Sequence, residues 1–208
     1  MCGIVGYTGT APVRDILLEG LRKLEYRGYD SAGIAVETND KISIVRRVGK
    51  VEELSNAVED WDVTSTCGIG HTRWATHGRP TEQNAHPHSD CSGKVAVVHN
   101  GIIENFVQLR GLLESEGHVF RSETDTEIVA HLIEKYYKGD LIEALARTTD
   151  DLQGAYGLAV MHVDHPGEIA VTRKDSPIVV GLSEGDEPAA LVASDIVAIM
   201  DFTRDVVF

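Results

Sequence analysis

Cysteine, tryptophan and phenylalanine are all scarce in this sequence: three, two and four in 208 residues. Cys2, Cys67 and Cys91 are odd in number and far apart, so they form no disulfide framework, and a reducing cytoplasm is the compartment they fit. Basic residues are few as well. Nineteen Lys and Arg against 33 Asp and Glu leave a net charge of −14, which argues against nucleic acid and against anionic membrane surfaces as partners. No apolar run reaches the roughly 18 residues of a membrane span. No basic start leads into an apolar stretch of the kind that directs secretion. There is no internal repeat, no low-complexity stretch, no CxxC, no GxGxxG after a strand and no phosphate loop, so neither a nucleotide site nor any other cofactor is expected. What remains is ordinary for a globular domain: 42% apolar and 25% charged residues, with length enough for one domain and a substantial core.

The chain is organised around Met1-Cys2-Gly3-Ile4-Val5-Gly6-Tyr7. Ile4-Val5 reads as a buried strand, flanked by glycines where backbone must come close to something else. Cysteine is small enough for an initiator methionine ahead of it to be removed. The mature chain would then carry a thiol and a free α-amine on one residue, a nucleophile paired with its own general base. An α-amine has a reference pKa of about 7.7–8.0, so a usable fraction is unprotonated at neutral pH.

Downstream, Thr10-Ala11-Pro12 reads as a helix start with Thr10 as N-cap. Ile16, Leu17, Leu21 and Leu24 then recur at helical spacing over 11–25. Residues 33–37 and 42–48 are β-branched runs joined as a hairpin by Thr38-Asn39-Asp40, and 50–59 read as a short helix. Gly68 to Gly78 begins as a strand and enters the longest loop, 78–93. Val95 to Val98 is a strand ending at His99-Asn100-Gly101. A helix follows with Phe106, Leu109, Leu112 and Leu113 inward. Thr124-Asp125-Thr126-Glu127 has the pattern of a capping box ahead of Ile128, Val129, Leu132 and Tyr136. A helix near 140–150 precedes short strands at 156–163, 168–173, 177–182 and 189–193, then a helical turn. Strands in antiparallel runs with paired helices, rather than strand–helix alternation, predict an α+β fold of two packed sheets with helices outside. Val206-Val207-Phe208 reads as an apolar run cut inside a strand, so residues 1–208 are expected to be one domain of a longer protein, truncated at its C-terminal end.

Five stretches carry chemistry: Cys2-Gly3-Ile4-Val5-Gly6, Tyr26 to Gly33, His71-Thr72-Arg73-Trp74-Ala75-Thr76-His77-Gly78, His99 to Asn105 and Ser122 to Glu127. As a set and in this order they resemble the glutaminase domain of the glutamine:fructose-6-phosphate aminotransferase family. The wider class is the N-terminal-nucleophile (class II) glutamine amidotransferases, which include amidophosphoribosyltransferase and asparagine synthetase. The resemblance runs from Cys2 to the end. It implies a four-layer αββα sandwich of two antiparallel sheets, the N-terminal-nucleophile hydrolase fold, and hydrolysis of L-glutamine to glutamate and ammonia. It also implies a following sugar-isomerase domain that accepts the ammonia on fructose 6-phosphate, and a homodimer at full length. The nearest rival reading is the glutaminase domain of another member of this class, of the amidophosphoribosyltransferase or asparagine synthetase type, and the rival from a different class is a non-catalytic module of the same fold.

Each candidate has a chemical reason and a plain alternative. Attack by Cys2 on an amide needs donors for the oxyanion. Asn100 and Gly101 offer a side-chain amide and a backbone N–H, although an Asn-Gly pair is also a common turn. Arg73 is a planar cation suited to gripping a carboxylate, and an Arg is otherwise most often in a surface ion pair. The resemblance gives it the α-carboxylate of glutamine. Asp125, in the first turn of a helix, suits the helix dipole by itself, and the resemblance adds the α-ammonium. Trp74, Thr76 and His77 follow on a loop that in the family closes over glutamine, with the tryptophan at the ammonia exit. His86 is included from the same region, and Arg27 is taken as support. His71, His77, His86, His88, Cys91 and His99 are numerous, but no two of these histidines stand four apart and no CxxC accompanies them, so no metal is expected. Cys67 and Cys91 read as inert.

Overall fold

Strand β1 (Gly3–Thr8) lies near the centre of a seven-stranded antiparallel sheet, and the reason is its composition: every residue from Gly3 to Tyr7 is buried. The computed structural model describes residues 2–61, 64–74, 78–183 and 188–207. After β1 come α1 (Val13–Leu24), β2 (Ser31–Thr38), β3 (Lys41–Val48), α2 (Val51–Ala57), β4 (Cys67–Arg73), β5 (His88–Ser89) and β6 (Val95–Ile103). Helices α3 (Phe106–Ser115), α4 (Glu127–Tyr136) and α5 (Leu141–Asp151) follow, then β7 (Gly154–His162), β8 (Ala170–Lys174), β9 (Val179–Ser183), β10 (Ala189–Ala193) and β11 (Asp205–Val207). The first sheet has the order β11-β9-β10-β1-β4-β2-β3 and the second β5-β6-β7-β8, all antiparallel.

The period of two along each strand sorts the apolar residues into three layers. Val5 and Tyr7 of β1, with Ile34 and Val36 of β2, pack under α1 on the outer face of the first sheet. Val95 and Val97 of β6, with Leu158 and Val160 of β7, pack under α3, α4 and α5. The residues of opposite parity meet between the sheets: Ile4, Ala35, Cys67, Ile69, Ala96, Val98, Ala159 and Met161. Helix, sheet, sheet and helix are therefore stacked as a four-layer α+β sandwich. Cys67 is part of that middle layer, and its burial pushes the thiol up to about 12, which keeps it inert. No helix among the described residues is long and apolar enough to cross a membrane.

Local expectations failed where long-range partners satisfied the backbone. Helix α1 is preceded by Pro12 rather than capped by Thr10, because the Val13 N–H donates to the Ser65 carbonyl at 2.9 Å and the Ala11 N–H to the Tyr7 hydroxyl at 3.1 Å. The capping box at 124–127 does not form. Thr126 occupies the position before α4 with no side-chain cap. The Glu127 carboxylate instead accepts from the Arg121 N–H at 2.8 Å and the Ser122 N–H at 2.7 Å, upstream of the helix. Leu112 is exposed, so α3 is narrower on its inner face than the spacing implied. The 38–40 hairpin formed, with Asn39 and Asp40 both at positive φ as a two-residue turn demands.

Candidate active site

Parity also places the chemistry. Cys2 shares the parity of Ile4, His71 and Arg73 that of Cys67 and Ile69, and Asn100 that of Ala96 and Val98. All four belong to the faces that meet between the sheets. The register pairs Gly3 with Thr72 and Ile4 with His71, so one further step brings Cys2 level with Arg73. The site is thus the open end of the inter-sheet layer, where apolar filling gives way to polar side chains.

Cys2 is half-buried, and its surroundings hold it by the backbone. The Cys2 carbonyl accepts from Asn100 Nδ2 at 3.1 Å and from Arg27 Nε at 3.0 Å. Arg27 is itself held by Asp195 Oδ2 at 3.0 Å, which the Tyr26 hydroxyl also reaches at 2.6 Å. Sequence reasoning missed Asp195 because its partners lie some 170 positions away and nothing local marks it. The Trp74 N–H points at Cys2 Sγ from 3.3 Å. Gly28 is needed for this approach, since a Cβ there would stand 2.8 Å from both the Arg73 carbonyl carbon and the Trp74 nitrogen. Burial pushes the Cys2 thiol up, while the Trp74 N–H and the Arg73 guanidinium pull the other way. A thiol raised by burial is protonated at neutral pH and needs a base to become a nucleophile.

Strand β6 does not end at His99 but continues to Ile103, so Asn100-Gly101 sits within a strand and is not a turn. Gly101 has φ +132°, and a Cβ there would fall 2.0 Å from the Ala155 carbonyl oxygen, which admits only glycine. The orientation of the Asn100 amide follows from His71. His71 Nε2 lies 2.9 Å from the His99 carbonyl, an acceptor, so this nitrogen carries the proton. It can then also donate to Asn100 Oδ1 at 3.1 Å. That leaves Nδ2 facing Cys2. One of its N–H bonds is used by the Cys2 carbonyl, and the other has no partner among the described residues.

Asp125 is buried, and its Oδ2 accepts from the Ile103 N–H at 2.8 Å, which ties the segment before α4 to the same strand end as Asn100. It lies just ahead of the helix, not in its first turn. Arg73 is buried at the end of β4, and its guanidinium reaches the carbonyls of Gly78 and Arg79 at 3.4 and 3.5 Å. The Trp74 ring is exposed and meets Tyr29 edge-on at 6.0 Å. Thr76 and His77 lie outside the described residues.

His86 is buried behind these groups. Its ring is 4.0 Å from that of His71 and 4.7 Å from that of His88, centroid to centroid, and its Nε2 shares the Thr126 hydroxyl with His99 Nδ1, each at 2.9 Å. Burial lowers all four imidazoles: His71 and His88 to about 3, His86 well below its ordinary value, and His99 in the same direction. They stay neutral in the fold, whereas in the unfolded chain they take up protons as pH falls through about 6.5. The unfolded state then binds more protons, so stability falls with pH from about 6.5 downward, at up to about 1.4 kcal/mol per pH unit per group. Glu127, held near 2 by His131, Ser122 and the Arg121 N–H against the opposing effect of burial, adds its own loss only below about 4.5. Urea midpoints at pH 7, 6 and 5, in enough salt to screen the acidic surface, are expected to fall stepwise. A midpoint flat from pH 7 to 5 would show that the cluster protonates in the fold.

The sequence matches a family profile described as a glutamine amidotransferase domain over residues 71–201. It is 53% identical over 208 residues to the glutamine–fructose-6-phosphate aminotransferase (isomerizing) of Thermus thermophilus, a match covering 100% of this chain and 34% of the relative. The protein of the same name from Pyrococcus horikoshii is 49% identical over 210 residues, covering 100% and 35%. Among solved structures, glutamine phosphoribosylpyrophosphate amidotransferase from B. subtilis, complexed with ADP and GMP, aligns with a TM-score of 0.81 at 30% identity over 96% of this chain and 43% of that one. The chain spans about a third of the length of the curated relatives it matches.

Proposed function

The chain belongs to the glutamine amidotransferase domain family and has the four-layer fold of its N-terminal-nucleophile class, and from that premise we propose that it hydrolyses L-glutamine with Cys2 as nucleophile. The observation that carries this reading is the convergence on one residue. The Asn100 amide, the Arg27 guanidinium and the Trp74 N–H all meet at Cys2. With Met1 removed, the α-amine of Cys2, through a water molecule, takes the thiol proton as Sγ attacks the side-chain amide carbon. The Asn100 amide and the Gly101 N–H hold the oxyanion. The proton passes to the leaving nitrogen, ammonia departs, and water hydrolyses the thioester to glutamate.

Arg73 and Asp125 serve the two ends of a free amino acid, the α-carboxylate and the α-ammonium. Trp74, Thr76 and His77 serve in binding glutamine, and His86 supports the site through His71. Arg73→Lys keeps the charge but loses the planar fork. The KM for glutamine is expected to rise about 10–100-fold, the worth of a charge-assisted hydrogen bond, with kcat less affected. An unchanged KM would remove Arg73 from the carboxylate.

In the full-length protein the ammonia passes to a sugar-isomerase domain in a cytoplasmic homodimer, and fructose 6-phosphate becomes glucosamine 6-phosphate. The identity to relatives bearing that name favours this acceptor over a phosphoribosyl one. The test is glutamate release from L-glutamine by the 208-residue chain, after intact mass has established loss of Met1. Glutamate without any amino sugar from added fructose 6-phosphate is expected. Amino sugar formed by this chain alone would overturn the division of labour, and no glutamate with Cys2 exposed and the fold intact would favour the non-catalytic module.

A further inference from the structure

Cys91, His118, His131 and Glu134 take no part in the chemistry above, yet their ligand atoms all lie within 4.8 Å of one another. We propose that they form a zinc site. The argument begins with how rigidly each is presented. Cys91 rides a tight turn between β5 and β6, in which Asp90 accepts from the Val95 N–H at 2.9 Å and the Ser92 N–H at 3.2 Å. His118 follows the end of α3. There Gly117 takes φ +99° and the His118 N–H returns to the Leu113 carbonyl at 3.0 Å, a glycine-based helix stop. His131 and Glu134 stand three apart on α4 and so share one face.

Four of the six ligand-atom separations lie close to those of a tetrahedron. Zinc bonds of about 2.0–2.3 Å space tetrahedral ligands about 3.3–3.8 Å apart. The two Nδ1 atoms are 3.3 Å apart, Cys91 Sγ is 3.6 Å from His131 Nδ1 and 3.9 Å from His118 Nδ1, and His131 Nδ1 is 3.4 Å from Glu134 Oε2. The His118–Glu134 contact, at 2.9 Å, is a hydrogen bond that a small carboxylate rotation would open. The two imidazole Nδ1 atoms face each other at 3.3 Å and both border the space shared with Cys91 and Glu134. The surroundings also fit. The Val119 N–H donates to Cys91 Sγ at 3.3 Å, as it would to a thiolate. His131 Nε2 is buried without a hydrogen bond and lies 3.7 Å from Glu127 Oε1, the kind of carboxylate partner that steadies a metal-bound imidazole. His131 is fully buried while Cys91 is exposed, which leaves an entry path. A thiolate, two imidazoles and a carboxylate suit zinc or cobalt over harder ions.

The spacing argument against a metal did not reach this cluster, because its ligands come from three separate segments. Bound zinc would clamp the β5–β6 turn and the α3–α4 connection to α4, whose Glu127 in turn holds the backbone at 121–122.

The chain, stripped with chelator and carrying Cys2→Ala to remove the other accessible thiol, is titrated with cobalt and with zinc. One equivalent of cobalt is expected to bind, with the visible bands of a tetrahedral ion and a thiolate charge-transfer band, and zinc is expected to displace it and raise Tm. Adding Cys91→Ala should abolish the charge-transfer band. That change and His118→Gln, an independent and partly exposed position, should each weaken zinc by more than the roughly 10–100-fold cost of losing an outer partner, and both should cancel the Tm rise. An unchanged cobalt spectrum in Cys91→Ala, or no binding at one equivalent, overturns the assignment.

Discussion

Cys2→Ala is expected to abolish glutamate release, with a fall in kcat of about 10⁴-fold or more, the scale seen when a covalent nucleophile is removed. Stability should hardly move. Among the described residues the Cys2 sulfur hydrogen-bonds with the Trp74 backbone alone, and the bonds that seat the residue go to its carbonyl, which alanine retains. A variant that is inactive and equally stable therefore separates chemistry from folding. A second arm tests the base. Any residue left ahead of Cys2 turns the α-amine into an amide, and a thiol that burial already pushes up then has nothing to take its proton. Such an extended chain is expected to be nearly as inactive as Cys2→Ala although its thiol is present. Full activity with Met1 retained, shown by intact mass, would mean that another group is the base.

Asn100→Ala is expected to lower kcat about 10²–10³-fold, the usual loss for one oxyanion donor. KM should change little, because the oxyanion exists only along the reaction path and not in bound glutamine. The fold should tolerate the change. His71 keeps the His99 carbonyl, and the Cys2 carbonyl keeps Arg27. Asn100→Asp is expected to be worse. It would set a carboxylate oxygen against the Cys2 carbonyl and place a negative charge where the oxyanion forms. A wild-type kcat in Asn100→Ala would leave the Gly101 N–H without its proposed companion.

Much of this protein is legible in its sequence. Continuous apolar runs at Ile4-Val5, in 33–37 and at Val95 to Val98 revealed strands, because a strand between two layers must be apolar on both sides. The blocks around Cys2, Arg73, Asn100 and Asp125 carried the resemblance to the family, and their residue types suit a nucleophile, an oxyanion donor and charged grips. What the sequence could not show was how distant segments satisfy one another. Thr10 did not cap α1 because Ser65 supplied an acceptor, and the 124–127 box did not close because Glu127 was taken by backbone at 121–122. The orientation of the Asn100 amide depends on a proton on His71, and the seating of Cys2 on Arg27 and Asp195. The Cys91 cluster joins three segments that share no local pattern. Local sequence thus determined which elements form and which faces they bury, since those follow from neighbours a few residues away. Tertiary structure alone decided which polar groups meet, since a buried hydrogen bond or ligand atom takes whatever partner the packing brings within about 3 Å, however far off it stands in the chain.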